Sequence, residues 1–275
     1  MRVHVSLTTI SGRVAGLPGV LRSLEAQTLL PDRIHLWISP EPFLLDEGVR
    51  RADLPDEVLA RADDGDGRLS IRETPNIGPH RKLLPLLERV HGDPDPPLIV
   101  TADDDSFYPP RWLEAMVGAW REERCAVTWR ARRIRETAAG LAPYRDWPLV
   151  PRFEEVLSHR LLATGTDGQL LHPDMLQPAV RGEAYRELCP SRSDAWITGA
   201  LLAAGTPTLK LSVLRALGVD DLPDGPAGMP AFRAAKRDRP ATGLWRFNRS
   251  RNDEYLRRTL AHFRRAAGRD GNAGG

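Results

Sequence analysis

The sequence predicts an α/β fold in which helices flank a mostly parallel β-sheet. Short apolar segments alternate with segments of helical periodicity through residues 3–130. One apolar run, residues 98–102, leads directly into Asp103, Asp104 and Asp105. Because unpaired carboxylates are costly to bury, these acids are expected at the end of a buried strand, where ligands of open α/β sheets bind.

Composition is that of a folded globular chain. The 275 residues, 41% hydrophobic and 28% charged, fit one large domain or two small ones. A formal net charge of +2 gives no general attraction to nucleic acid. Cys125 and Cys189 form no disulfide or metal pattern. No apolar run is long enough to span a bilayer, and residues 1–7 lack a signal cleavage site, so we expect a cytoplasmic protein.

The first half is predicted to repeat a strand–helix step. Strands are predicted at 3–9, 34–38, 69–72, 98–101 and 126–129, and helices at 17–27, at 80–90 and after Pro109-Pro110. Consecutive steps of this kind require parallel strands joined by right-handed crossovers. We therefore expect residues 1–130 to form a Rossmann-like, nucleotide-binding half.

The second half has a weaker pattern. Residues 131–163 mix arginine, proline and tryptophan without a clear period. Further elements are predicted as a strand or turn within 165–173, helices at 181–188 and 193–204, a short strand at 209–214, a loop at 219–243 and a final helix at 244–265. Ser191 or Ser193 is expected to cap the 193–204 helix, and Gly205 to end it.

Several short motifs follow one another along the chain. They are Thr8-Thr9-x-x-x-Arg13, Gly78-Pro79-x-x-Lys82-Leu83, Asp103-Asp104-Asp105 with Tyr108-Pro109, Gly165-x-x-Gly168 with Pro173, Asp194-x-Trp196, and Asn248-x-x-x-Asn252-Asp253. Their order and spacing resemble the GT-A glycosyltransferases, most closely bacterial family 2-like enzymes. The resemblance covers residues 3–263. It implies one GT-A domain, with residues 1–130 binding a nucleotide-sugar and residues 131–275 forming a mixed acceptor-binding half.

The same resemblance implies the reaction and its cofactor. A metal-dependent inverting, hexosyltransferase-type enzyme would move a sugar from a nucleotide-sugar, expected to be UDP-linked, to the hydroxyl of a carbohydrate or other acceptor. Asp103 and Asp105 would bind Mn²⁺ or Mg²⁺ bridging the diphosphate, with Asp105 as the direct ligand. Asp103 would also hold the ribose, and Asp104 would orient the site. Hard oxygen ligands suit these cations, and the leaving diphosphate needs its charge neutralised. The alternative is that the acids only cap the helix that follows.

Five further residues are expected at the nucleotide. Thr8, Thr9 and Arg13 follow the first predicted strand, where the base or ribose would lie. Asn76 and Lys82 flank Gly78-Pro79, and Lys82 would reach the base or a phosphate. Two alternatives stay open here: Thr8 and Thr9 only shape the loop through their hydroxyls, or Lys82 lies on a solvated helix face.

Inverting sugar transfer also needs a base that takes the acceptor proton. Asp194 is the candidate, because similar proteins carry two acids before x-Trp, and here Ser193 replaces the first of them. Loss of that neighbouring charge means that the pKa of Asp194 must be tuned by other groups. The alternative is that Asp194 only interacts with the dipole of the helix that it begins.

The acceptor is expected to contact a second set of residues. Gly165 and Gly168 suggest close backbone approach to a ligand. Asp167 is expected to hydrogen-bond a hydroxyl, His172 to contact the acceptor or the metal, and Trp196 to stack on a sugar ring. A structural His172 and a core Trp196 are the alternatives.

Arginines are concentrated near the end of the chain. They are Arg246, Arg249, Arg251, Arg257, Arg258, Arg264 and Arg265. The simplest explanation is a solvated amphipathic helix. Two more specific alternatives are peripheral contact with anionic lipid at the inner face of a membrane and binding of a phosphorylated acceptor.

Two rival functions fit part of the pattern. A nucleotidyltransferase would share the acidic strand end, but residues 8–13 hold one glycine rather than a glycine-rich basic loop. A non-catalytic module would bind nucleotide-sugar without turning it over.

Overall fold

The computed structural model of the chain describes residues 1–63, 67–165, 167–216 and 252–270. No helix within these ranges has the length and apolar character needed to cross a bilayer. Some sequence predictions lie outside the described residues: the loop at 219–243, the first part of the final helix at 244–251, Asn248, and Arg246, Arg249 and Arg251.

The described chain contains twelve strands, and eight of them form one central sheet. They are β1 (Val3–Thr8), β2 (Arg33–Ile38), β3 (Leu69–Glu73), β4 (Leu98–Thr101), β5 (Ala126–Thr128), β6 (Ala131–Arg133), β7 (Glu136–Thr137), β8 (Gly140–Leu141), β9 (Val156–Ser158), β10 (Leu161–Ala163), β11 (Gln169–Leu171) and β12 (Thr208–Lys210). The sheet order is β3-β2-β1-β4-β11-β5-β12-β9, while β10 pairs with β6 and β7 with β8.

Strand direction determines which loops meet. β3, β2, β1 and β4 are parallel to one another, and β12 is parallel to β5. β11 is antiparallel to β4 and β5, and β9 is antiparallel to β12. The expected mostly parallel sheet is confirmed. The carboxyl ends of β1, β4, β5 and β12 therefore lie at one edge of the sheet, here named the carboxyl edge.

Seven α-helices pack around this sheet in the described ranges. They are α1 (Leu17–Glu25), α2 (Asp56–Asp63), α3 (Leu84–Arg89), α4 (Trp112–Glu123), α5 (Tyr185–Leu188), α6 (Ser193–Ala203) and α7 (Asn252–Asp270). The apolar positions of α1 that set its predicted period, Leu17, Val20, Leu21 and Leu24, are all buried. Burial of such a stripe, rather than intrinsic propensity, stabilises a helix this short.

The segment after Asn76 differs from its prediction. A 3₁₀ turn spans Gly78–Lys82, and α3 begins only at Leu84. Pro85 explains the break, because proline fits the first turn of an α-helix and not its interior. The tighter turn buries His80, Arg81 and Lys82 together.

The second half also departs from its predictions at two places. Residues 131–163 hold β6 to β10, whose two or three residues each are too few to show a period. The N-cap of α6 is Arg192, which makes no capping hydrogen bond through its side chain, so the predicted serine cap is wrong. Gly205, with φ +71°, does follow the end of α6.

α7 packs on α6 through one face. Leu256 and Phe263 are fully buried, and Thr259 donates from Oγ1 to the carbonyl of Ala195 at 3.2 Å. Arg257, Arg258, Arg264 and Arg265 are exposed on the other face. The described arginines therefore fit a solvated amphipathic helix, and lipid contact stays a prediction.

Candidate active site

The predicted donor residues meet at the carboxyl edge around a cavity of about 140 Å³. Thr8 comes from the end of β1, Asn76 and Lys82 from the segment before α3, and Asp103 and Asp104 from the loop after β4. The cavity is thus built where β1 and its parallel neighbour β4 end, as the sequence predicts for a ligand of an open α/β sheet.

Asp104 organises the loop between β1 and α1. Its carboxylate is 4% exposed and accepts hydrogen bonds from Thr9 Oγ1 and Arg13 Nη1, both at 2.8 Å. Arg13 also lies 3.3 Å from an Asp105 oxygen. Burial raises the pKa of Asp104, and Arg13 opposes this rise. Thr9 and Arg13 are therefore both hydrogen-bonded to Asp104. We expect these three residues to fix the shape of the donor site.

The hydroxyl of Thr8 is also used within the protein. It donates to the carbonyl of Trp37 on the neighbouring strand at 2.8 Å. The loop-shaping alternative thus accounts for the hydroxyls of both Thr8 and Thr9, although Thr8 still lines the cavity.

Lys82 joins the two halves of the site. Its Nζ lies 3.1 Å from Asp103 Oδ1, and the residue is only 8% exposed, so the solvated-face alternative is wrong. A Cβ placed on Gly165 would lie 3.0 Å from Lys82 Nζ and 2.6 Å from Asp194 Oδ1. Lys82 and Asp194 therefore lie close to each other on either side of Gly165. Asp103 accepts a hydrogen bond from the same Lys82 ammonium group.

The pKa values of Lys82 and Asp194 depend on their burial and on each other's charge. Burial alone would lower the pKa of Lys82, but Asp103 and Asp194 raise it above its ordinary value. Burial raises the pKa of Asp194 to about 6, against the opposing charge of Lys82. Arg192 and Arg130 oppose the rise further. Burial and the nearby charge of Asp103 thus raise the pKa of Asp194 without the acid that the chain lacks before it.

A buried ion pair in the wall of the cavity was not predicted from the sequence. Asp46 accepts from Arg81 Nη2 at 2.7 Å and from Asn76 Nδ2 at 3.0 Å, and Arg81 is 1% exposed. Asp46 also accepts from the backbone N–H groups of Ser11 and Gly48. Asn76 therefore supports the cavity wall, and its contact with the nucleotide stays a prediction. The available signal was a second basic residue beside Lys82 in a segment flanked by prolines.

Tyr108 fixes the backbone of the acidic loop. The N–H of Asp103 donates to Tyr108 Oη at 2.6 Å, and the ring is 4% exposed. Burial raises the pKa of Tyr108 well above its ordinary value, so the phenol stays protonated.

The glycine motif serves packing as well as access. Gly168 has φ +102°, and a Cβ there would lie 2.6 Å from Trp112 Cζ2. Asp167, with φ +72°, accepts from Trp112 Nε1 through its backbone carbonyl at 2.8 Å. Packing against Trp112 thus requires a glycine at position 168, and the approach of an acceptor there stays a prediction. Asp167 lies beside the site, and its contact with an acceptor stays a prediction.

The structure contradicts two expected acceptor contacts. His172 follows β11, which is antiparallel to β4 and pairs Leu171 with Ile99, so His172 lies at the edge opposite the carboxylates. Its expected contact with the metal or acceptor is wrong for that reason. Trp196 is fully buried, donates to the carbonyl of Val180 at 2.9 Å and packs on Phe263. It belongs to the core and offers no face to a sugar.

The fold and this site define an α/β protein with a carboxylate, an ammonium group and an acidic loop at one sheet edge. The sequence model of glycosyl transferase family 2 matches residues 15–169, more than half of the chain. The chain therefore belongs to glycosyl transferase family 2, and the expected GT-A fold is confirmed. Asp194 lies beyond the matched range, so its assignment rests on geometry.

Solved structures with similar architecture have low sequence identity to the chain. S. aureus TarS 1-349 is 13% identical, with a TM-score of 0.47, and the match covers 77% of this chain and 58% of that one. The chain thus spans less than two thirds of that TarS fragment. A 2-C-methyl-D-erythritol 4-phosphate cytidylyltransferase from Thermus thermophilus is 18% identical, with a TM-score of 0.42 and coverage of 77% and 89%. No curated protein sequence matches the chain.

Proposed function

We propose that this glycosyltransferase inverts the anomeric centre of a nucleotide-sugar, with Asp194 as the base and the donor diphosphate at Lys82 and the acidic loop. The observation that carries the proposal is the approach of Asp194 and Lys82 across Gly165, with Asp103 bonded to the same ammonium group at 3.1 Å. A base for the acceptor and a cation for the leaving group thus lie side by side. A direct displacement at the anomeric carbon needs both groups, with the acceptor oxygen entering on the face opposite the leaving diphosphate.

Asp103 and Asp105 are the residues that would hold a divalent cation. Both are carboxylates, the hard oxygen donors that Mg²⁺ and Mn²⁺ prefer, and both are less buried than Asp104. The described residues contain no group of three or more histidine, cysteine or acidic side chains able to hold a metal. Two carboxylates fit these cations, because substrate phosphates and water usually complete their coordination. When bound, the metal would neutralise charge on the leaving diphosphate.

The remaining roles follow from the contacts. Lys82 is buried and charged, so it would attract a donor phosphate while holding Asp103 in place. Deprotonated Asp194 would take the proton of the acceptor hydroxyl as its oxygen attacks the sugar. The donor nucleotide is proposed to be UDP, which TarS 1-349 has been solved with. The acceptor is proposed to be a carbohydrate or another hydroxyl compound.

A nucleotide-sugar screen tests this function. Thermal unfolding is to be followed with UDP-sugars, GDP-sugars and CTP, each with and without Mn²⁺. Binding to the native state raises the midpoint temperature, and we expect the rise to need a nucleoside diphosphate and to increase with Mn²⁺. A rise with CTP, followed by pyrophosphate release from CTP and a sugar phosphate, would favour the nucleotidyltransferase instead.

Gly165→Ala is expected to reduce turnover strongly. The new methyl group would lie 2.6 Å from Asp194 Oδ1 and 3.0 Å from Lys82 Nζ, and φ is +56°. Positive φ alone costs a non-glycine residue about 1 kcal/mol or more. Gly92→Ala is the matched control, because Gly92 has φ +79° and an added Cβ would meet nothing within 4 Å. Both variants should lose stability, and only Gly165→Ala should lose donor turnover. Equal donor turnover by the two variants would show that Gly165 is not part of the active site.

Turnover should depend on pH through the proposed base. The pKa of Asp194 is raised to about 6, and only the deprotonated carboxylate accepts a proton. We therefore expect kcat to rise as pH increases through about 6 and to level off above it. The measurement is kcat for donor turnover on both sides of that pKa, at saturating nucleotide-sugar. A kcat that is flat across that range would remove Asp194 from the rate-limiting proton transfer.

A further inference from the structure

A second cavity, of about 460 Å³, opens at the edge of the sheet opposite the carboxyl edge. Leu98 at the start of β4 and His172 just after antiparallel β11 both line it. Trp120, Arg121 and Arg124, at the end of α4, form another wall. None of these residues belongs to the proposed sugar-transfer site.

Two guanidinium groups line this cavity, those of Arg121 and Arg124. Neither forms an ion pair with any acid in the part of the chain that the structure describes. The guanidinium carbon of Arg124 lies 4.2 Å from the centre of the Trp120 ring. Stacking on an aromatic face leaves the in-plane N–H groups of arginine available to an oxyanion.

The helix dipole explains only part of the arrangement of these arginines at the C-terminus of α4. Cations offset the negative end of the helix dipole, which accounts for basic residues in the last turn. It does not account for the cavity that opens beside them, which Trp120 and His172 also line. Trp120 is 9% exposed, and its indole N–H is closed to solvent and has no hydrogen-bond acceptor among the described residues. The indole N–H therefore does not contact a ligand directly, but it lies in the ring on which Arg124 stacks and reports on that arginine.

His172 adds another donor. Its Nδ1 accepts a hydrogen bond from the backbone N–H of Asp174 at 3.3 Å. In a neutral imidazole the other ring nitrogen then carries the proton, so Nε2 is a donor. The His172 ring is stacked near Trp120, with 6.3 Å between the ring centres.

One acidic residue, Asp95, lies in the lining of this cavity. Arg2 donates to the backbone carbonyl of Asp95, but its ion pair is with Asp93 at 2.8 Å, so Arg2 does not cancel the charge of Asp95. Arg121 and Arg124 still outnumber this one carboxylate, and His172 adds a neutral donor.

We propose that this cavity binds the phosphate group of a small phosphorylated molecule. Two guanidinium groups match the charge of a phosphate dianion, and their planar forks match its oxygens. The cavity is larger than a lone phosphate, so the organic part of the ligand would lie against Trp120 and Leu98. The site is separate from the donor cavity and does not depend on the proposed sugar transfer.

The indole N–H resonance of Trp120 reports on this site directly. The signal is identified in a ¹H–¹⁵N spectrum of the full chain by its loss in Trp120→Phe. Inorganic phosphate, pyrophosphate and ribose 5-phosphate are then titrated at constant ionic strength, with acetate as the monoanion control. We expect a saturable shift of the Trp120 signal with a Kd of about 1 mM or tighter for the phosphates. No saturable shift, or an equal shift with acetate, would overturn the proposal.

Variants separate a built site from general anion binding. Arg124→Gln and Arg121→Gln should each weaken the phosphate-induced shift by about tenfold or more. Arg186→Gln is the matched control, because Arg186 is an exposed arginine on α5 paired with Glu183. UDP binding with Mn²⁺ should be unchanged in all three. A shift that survives both glutamine variants, or a loss of UDP binding in them, would contradict a separate phosphate site.

Discussion

Replacing Asp194 with asparagine is expected to lower kcat for sugar transfer by about 10²–10⁴-fold, the usual contribution of a general base. The amide is close in shape to the carboxylate and can still lie beside Gly165 and Lys82, but it cannot take a proton. Nucleotide binding should be retained, because the donor contacts lie on Lys82 and the acidic loop. The measurement is kcat for donor turnover together with calorimetric titration of UDP and Mn²⁺.

Stability provides the control for this variant. The folded pKa of Asp194, about 6, is raised above its ordinary value of 3.8. A raised carboxyl pKa means that its stabilising contribution is present below the unfolded pKa and is lost as pH rises through about 6. Asparagine does not ionise, so at a pH well above that pKa Asp194→Asn should unfold at the same temperature as the unmodified chain or higher. A variant that binds UDP and keeps full turnover would show that another group is the base.

Replacing Asp105 with alanine is expected to abolish the Mn²⁺-dependent part of UDP binding. Asp105 is the carboxylate proposed as the direct ligand, whereas the Asp103 carboxylate lies 3.1 Å from the Lys82 ammonium group. The measurement is the Kd of UDP with and without Mn²⁺. In the unmodified chain the cation should tighten binding, and in Asp105→Ala the two values should converge.

Two comparisons keep this result interpretable. Asp146→Ala removes an exposed aspartate beside Arg145 and should leave the effect of Mn²⁺ intact. Arg13 keeps its 2.8 Å contact with Asp104 when Asp105 is removed, so the loop after β1 should stay in place. If Asp105→Ala still binds UDP more tightly with Mn²⁺, the metal ligand has been assigned to the wrong residue.

The first half of the fold could be predicted because its signals are local. Residues 98–101 form a continuous apolar run, and each residue of that strand is buried. α1 shows its buried face as a repeating period of leucine and valine. The strands in 131–163 could not be found in this way, since their two or three residues give no period and their pairing is set by the fold.

The site was predictable where a residue follows a recognisable element. Asp103, Lys82 and Asp194 were expected at one site, and the structure brings them together. Asp46 and Arg81 were missed because their ion pair joins positions 35 residues apart. Arg81 beside Lys82 was a local signal for a second basic side chain, but it does not indicate which acid is its partner.

The two wrong acceptor contacts have different physical causes. His172 was misplaced because sequence does not reveal that β11 runs against its neighbours, which reverses the edge at which the strand ends. Trp196 lies in α6, whose residues are apolar on nearly every side. A helix of that composition is buried all round, which explains why the alternative of a core tryptophan is the correct one.

The most direct test of the central proposal is the configuration of the sugar first released from the donor. Proton NMR of the anomeric region follows hydrolysis of an α-linked UDP-sugar, with water as the acceptor, by the unmodified chain and by Asp194→Asn. Inversion with Asp194 as the base predicts that the β-anomer forms first and that the variant releases sugar far more slowly. Initial release of the α-anomer, or equal rates from both proteins, would contradict it.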